Sequence, residues 1–138
     1  MNIYFACSIT GGRSFESVYQ AIVAALIGDG HEVPTAHLAE SGAAAKEAEI
    51  GAQAVFARDT AWIRACDVLI AEVSVPSHGV GYEIGFALGL GKRVLALYQE
   101  GRKVSKMISG NPDPGLTLAM YQTPEDALQQ IRGFFRGA

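Results

Sequence analysis

Asp67-Val68-Leu69-Ile70-Ala71-Glu72-Val73-Ser74-Val75-Pro76-Ser77-His78-Gly79-Val80-Gly81-Tyr82-Glu83-Ile84-Gly85 is the stretch on which the fold turns. Its first seven residues, 67–73, are nearly continuous and apolar, the pattern of a strand covered on both faces in a parallel sheet. Ser77 to Gly81 reads as a tight loop, and a helix is predicted from about Tyr82 to Leu90, ended by Gly91. Parallel neighbours need helical crossovers, so strands must alternate with helices on either side of this unit.

Working outward, that alternation continues. Upstream, Val55, Asp59, Trp62, Ile63 and Cys66 fall on one stripe of a helix predicted over 53–66. Downstream, 93–98 and 116–121 read as strands. Thr123-Pro124-Glu125-Asp126 then offers a cap, a proline at the first helical position and acids in the first turn, with Leu128, Ile131, Phe134 and Phe135 turned inward. At the start of the chain, 2–8 is a buried strand that breaks at Thr10-Gly11-Gly12. Phe15, Val18, Tyr19, Ile22, Val23 and Leu26 line the following helix, which Gly28-Asp29-Gly30 stops. His31 to Thr35 is predicted as a short strand, placed at an edge by Pro34, and 39–51, rich in Ala, Gly and Glu, as a loop or lid. The sum is a doubly wound α/β fold with a five-stranded parallel sheet, one domain over residues 1–138.

Composition narrows the function. With 138 residues, 49% of them apolar and 18% charged, the chain buries a core and is not disordered. The two cysteines, Cys7 and Cys66, are far apart with no leader segment before them, which predicts free thiols in the cytoplasm. No apolar run approaches the roughly 20 residues of a membrane helix, so no membrane partner is expected. Eleven Lys and Arg against fourteen Asp and Glu leave a net charge of −3, with no field for polymeric nucleic acid. An anionic ligand would be small and locally held.

Ligands of such folds bind beyond the carboxyl ends of the strands. There Ser8-Ile9-Thr10-Gly11-Gly12-Arg13 offers backbone amides at a helix start, a feature equally served by a plain glycine turn. Ser77 to Gly85 resembles a phosphate loop, but its G-x-G-x-x-x-G spacing, its place after the third predicted strand and its missing lysine make a dinucleotide or triphosphate reading weak. Glu83 falls in the first turn of the predicted helix, where an acid also complements the helix dipole. Asp59 lies on an apolar stripe, where a carboxylate must be paired, hydrogen-bonded or protonated. Brought to one crevice, Asp59 and Glu83 would be the two carboxylates of glycosidic cleavage. His37 follows the short strand and lines the same crevice on this reading. The basic segment around Arg102 to Lys106, with Ser105 at a helix start, is either a solvated loop or a phosphate contact. No metal-ligand spacing occurs, so no metal is expected.

Together these motifs resemble the 2′-deoxynucleoside 5′-monophosphate N-glycosidases of the nucleoside 2-deoxyribosyltransferase superfamily. The likeness rests on Ile3-Tyr4-Phe5, Ser8-Ile9, Gly11-Gly12-Arg13, Asp59 with Trp62, Ala71-Glu72-Val73, Pro76-Ser77, Gly79 to Gly85, Lys92-Arg93 and Ser105. It implies a Rossmann-like homodimer that hydrolyses a small-molecule deoxynucleotide to free base and 2-deoxyribose 5-phosphate without a cofactor. The same resemblance gives Glu83 the attack on C1′, Asp59 the proton transfers and Tyr4 the positioning of both. It gives the 5′-phosphate to Ser77, to the backbone of Gly79 and to the first glycine loop of Ser8, Ile9, Thr10, Gly11, Gly12 and Arg13, with Ser105 supplied by the partner subunit, counts Gly81 among the substrate-binding residues, and sets His37 beside the base. Thr10 stands where the family commonly has arginine, and Cys7 where it has glycine, which opens the base and sugar preference. The alternatives are a deoxyribosyltransferase, a CMP-type ribonucleotide N-glycosidase, and a non-catalytic nucleotide- or flavin-binding module.

Overall fold

The computed structural model describes residues 1–137. Its strands are β1 (Ile3–Ala6), β2 (Val68–Glu72), β3 (Arg93–Gln99) and β4 (Leu116–Tyr121). Its α-helices are α1 (Glu16–Gly28), α2 (Ala43–Ala48), α3 (Ala52–Ala65), α4 (His78–Gly89), α5 (Lys106–Ser109) and α6 (Pro124–Arg136), with a 3-10 turn at Ala36–Ala39. The four strands lie in the order β1-β2-β3-β4, all parallel, with Phe5 beside Ile70 and Ile70 beside Leu95.

The sheet has four strands, and the fifth expected at His31 to Thr35 does not form. Ile3 donates its N–H to the Glu32 carbonyl at 2.8 Å, Glu32 returns one to Met1 at 2.9 Å, and pairing stops after that single bridge. Pro34 has no N–H to continue the ladder. The buried Thr35 hydroxyl accepts the Phe5 N–H at 3.0 Å instead. The fragment nevertheless lies on the far side of β1 from β2, so the chain order reverses beside β1. The crevice such a reversal opens lies between the segments that leave β1 and β2.

Alternation along β1 divides its side chains between two layers. Ile3 and Phe5 pack with Tyr19, Ile22 and Leu26 of α1 and with Ile131 and Phe134 of α6. Tyr4 and Ala6 turn to the other face, against Ile63 of α3 and Ile84, Ala87 and Leu88 of α4. Each fully buried Ile or Leu here contributes roughly 1.5–3 kcal/mol relative to an exposed one. Tyr4 is thereby the large side chain of β1 that faces the two helices carrying Asp59 and Glu83.

Two further expectations are corrected. Helix α4 begins at His78, four residues before the predicted Tyr82, because the Ser77 hydroxyl caps it by accepting the Val80 N–H. Glu83 consequently sits in the second turn and not at the dipole end, which removes the structural account of it as a first-turn acid. Within 39–51, a short helix, α2, replaces the expected loop.

Candidate active site

Asp59 on α3 and Glu83 on α4 open onto one cavity of about 450 Å³, which Tyr4 of β1 also lines. The helical period brings them there: Asp59 is four residues from both Val55 and Ile63, and Glu83 precedes the buried Ile84 by one position. The Tyr4 hydroxyl donates to Glu83 Oε1 at 2.9 Å.

Burial, reinforced by the negative charge of Asp59, pushes the Glu83 carboxyl up to about 7, against the opposing pull of the Tyr4 hydrogen bond and the Arg58 charge. Near neutral pH this carboxyl exchanges its proton readily. Tyr4 is driven far above the ordinary tyrosine range, first by burial and then by the charges of Glu83 and Asp59, and so remains a hydrogen-bond donor. A half-buried carboxylate held by a neutral donor, with a second acid close by, is an arrangement suited to attack on an electron-poor carbon.

The glycine segment after β1 closes one wall. A Cβ on Gly11 would lie 2.4 Å from the Pro76 carbonyl oxygen and 3.0 Å from Ser8 Oγ, so only glycine lets this segment touch the one leaving β2. Gly12 takes a left-handed φ of +125°. Of the predicted set, Ile9, Thr10, Ser77 and Gly79 join Tyr4, Asp59 and Glu83 around the cavity. Ser8 is fully buried, and its hydroxyl has no hydrogen-bond partner among the described residues.

Other expected residues lie elsewhere. Arg13 binds Glu16 at 3.0 Å and the carbonyls of Ser8, Leu38 and Glu40 at 3.2, 2.8 and 2.9 Å, fastening loops together behind the cavity. His37 packs on Trp62 with ring centroids 5.8 Å apart and sits 3.7 Å from Glu47, outside the lining residues. Gly81 and Ser105 line a second cavity of about 650 Å³, which shares Ser77 and Val80 with the first. Among the described residues, no three His, Cys, Asp or Glu side chains gather as a metal site requires. Among them, too, no helix is long and apolar enough to cross a membrane.

Sequence reasoning missed Arg58 and Glu47. Arg58 Nε donates to Asp59 Oδ1 at 2.8 Å, while its two terminal nitrogens reach the two Glu47 carboxylate oxygens at 3.0 and 2.8 Å. This fork holds the Glu47 carboxyl below its ordinary range. The guanidinium lies 5.0 Å from the centre of the Trp62 ring, and the four-residue spacing of Arg58 and Trp62 was a readable sign of that stacking. Glu47 had no such sign, since it stands in the Ala-rich segment that reads as a loop.

Parallel sheet, reversal beside β1 and paired carboxylates beyond the strand ends define a Rossmann-like α/β protein built for a small ligand carrying a susceptible bond. The model of the nucleoside 2-deoxyribosyltransferase family matches residues 3–128, and the chain belongs to that family. It is 45% identical over 134 residues to a Mus musculus 5-hydroxymethyl-dUMP N-hydrolase, covering 94% of this chain and 76% of that protein. It is 37% identical to the Esox lucius protein of the same name, with 99% and 97% covered. Among solved structures, the Clostridium botulinum CMP N-glycosidase superposes with a TM-score of 0.74 at 22% identity, over 96% of this chain and 98% of that one, which shows the shared fold.

Proposed function

We propose that this protein hydrolyses the N-glycosidic bond of 2′-deoxynucleoside 5′-monophosphates, releasing free base and 2-deoxyribose 5-phosphate. The observation that carries the reading is the Tyr4–Glu83 hydrogen bond in one cavity with Asp59, with Ser77 and Gly79 at its edge. The names of its relatives support the substrate class.

On this reading Glu83 attacks C1′ as the carboxylate, and the bond to the base breaks as its nitrogen takes a proton from a water that the Asp59 carboxylate holds. A sugar ester of Glu83 results, with the hydroxide left beside Asp59. That hydroxide oxygen attacks C1′ and frees Glu83 as the carboxylate, so one water is consumed and no cofactor enters. Tyr4 donates to Glu83 and holds the attacking oxygen in line. Ser77 and Gly79, at the start of α4, receive the 5′-phosphate where backbone amides and the helix dipole favour an anion, with Ser8, Ile9, Thr10, Gly11 and Gly12 completing the cradle. Arg13 and His37 support its walls.

The chain acts as one domain and as a homodimer in the cytoplasm, with Ser105 serving the partner's site. In its own chain Ser105 is exposed and faces a different cavity from Glu83, which fits that assignment. Tyr82, Phe56 and Met107 leave exposed apolar surface for a second copy.

The test is chromatographic measurement of base release from deoxy- and ribonucleoside monophosphates and from free nucleosides, with and without a second base. Release from deoxynucleoside monophosphates alone, unaffected by added base, is the expected result. Base exchange on free nucleosides would make the protein a transferase, and no release from any of them would overturn the enzymatic reading.

A further inference from the structure

Helix α2 forms a wall of the cavity through Ala44, Glu47 and Ala48, yet of its residues only Ala43 is buried. So small an apolar contact cannot fix a six-residue helix. Among the described residues, the side-chain hydrogen bonds that join α2 to anything beyond residue 51 all come from Arg58. Lys46 reaches only Glu40, in an exposed pair, and His37 approaches Glu47 from the preceding 3-10 turn. The Arg58–Glu47 pair differs in kind. Its side chains are 21% and 13% exposed, where those of Lys46 and Glu40 are 66% and 58% exposed, and its contact is a two-point fork.

The third contact of the same guanidinium goes to Asp59. Adjacent helical residues do not normally face one another. Arg58 reaches its neighbour because its side chain folds over the Trp62 ring, leaving Nε toward Asp59 and the two terminal nitrogens toward α2. One planar group therefore cannot turn toward α2 without also setting the Asp59 carboxylate.

We propose that Arg58 is a positioning residue that latches α2 over the cavity and in the same contact orients Asp59 for proton transfer, making closure of the wall a condition for a competent carboxylate pair. The kinetic part rests on the N-hydrolase reading; the latch itself does not. Glu83 is faced by Tyr4 from β1 and by Asp59 and Arg58 from α3, and Arg58 in turn by Glu47 from α2. Loss of the guanidinium leaves Asp59 uncompensated beside Glu83, so Glu83 ionises at higher pH.

The experiment compares Arg58→Gln, Arg58→Lys and Glu47→Gln with the wild type by amide hydrogen exchange over residues 43–48 without ligand, and by kinetics on the best deoxynucleoside monophosphate. All three variants break the fork and are expected to speed exchange about tenfold or more, raising KM about three- to tenfold. Only Arg58→Gln is expected to move the acid limb of kcat upward, by about half a pH unit or more, because Arg58→Lys and Glu47→Gln both keep a cation at position 58. Wild-type exchange and KM in Arg58→Gln would overturn the latch, and an unmoved acid limb would overturn the coupling to the carboxylates. Should Arg58→Gln fail to fold, Glu47→Gln decides the latch and Arg58→Lys its dependence on the fork. If the wild type released no base from any nucleotide, the N-hydrolase reading would fall, and the exchange data would still decide whether Arg58 holds α2.

Discussion

Tyr4 and Glu83 stand 79 positions apart in the chain and meet at 2.9 Å. Their meeting follows from two periodicities. Alternation along β1 turns Tyr4 away from α1, and the helical repeat of α4, counted from its cap at Ser77, turns Glu83 toward the sheet.

Glu83→Gln keeps the side chain's shape and removes its nucleophilic oxygen pair. Base release is expected to fall about a thousandfold or more, while calorimetry still detects nucleotide binding. Normal hydrolysis by this variant would sink the assignment of Glu83 as nucleophile.

The same variant has a stability signature. The folded carboxyl titrates near 7 and the ordinary one at 4.5, so between those values the folded state holds a proton that the unfolded chain releases. Stability from this group is therefore full below about 4.5 and declines as pH rises toward 7. Relative to wild type, Glu83→Gln should melt higher at pH 8 than at pH 5, a comparison a pair of thermal scans provides.

Tyr4→Phe deletes the donor that favours the ionised form of Glu83. The carboxyl then titrates higher, and since attack requires the carboxylate, activity sets in at higher pH. A pH profile of kcat should show a larger loss at pH 6 than at pH 8, and equal losses at both would contradict the role given to the hydroxyl.

Asp59→Asn can still accept the Arg58 Nε–H through its side-chain oxygen, so the fold should tolerate it. Hydrolysis is expected to drop about a hundredfold or more, with melting temperature nearly unchanged. A variant that mainly melts earlier would show Asp59 to be structural.

Gly11→Ala drives a methyl group to within 2.4 Å of the Pro76 carbonyl oxygen. The two crevice segments must separate, at a cost of about 1–3 kcal/mol in stability together with lost activity. Gly85→Ala, in α4 with nothing within 4 Å of its added carbon, should instead stabilise by about 0.5–1 kcal/mol. Denaturant titrations of the two variants should therefore move in opposite directions.

Much of the fold was legible because its signals are local. The apolar run at Val68–Glu72 and the capping box of Thr123 and Asp126 are written in consecutive residues. The strand expected at His31 to Thr35 failed because a threonine hydroxyl replaced a ladder partner, a tertiary event that no propensity records. The start of α4 was misplaced because Gly79 and Gly81 read as loop residues, while the cap that overrides them is a single serine hydroxyl. At the site, Asp59 drew attention because a carboxylate on an apolar stripe is a visible anomaly, whereas Glu83 read as a first-turn acid and was singled out by the resemblance of the block around it. Arg58 was not, since an arginine beside an aspartate on a helix is ordinary until a carboxylate from another element completes the fork.

The early start of α4 has one further consequence. Ser77 and Glu83 ride on a single rigid rod, six residues and about 9 Å of axis apart, so neither can shift without the other. On the proposed reading the protein carries a fixed gauge between the anion and the carbon under attack. Selection is then by length as well as by chemistry: a longer phosphate chain, or none, leaves the sugar out of register with the carboxylate.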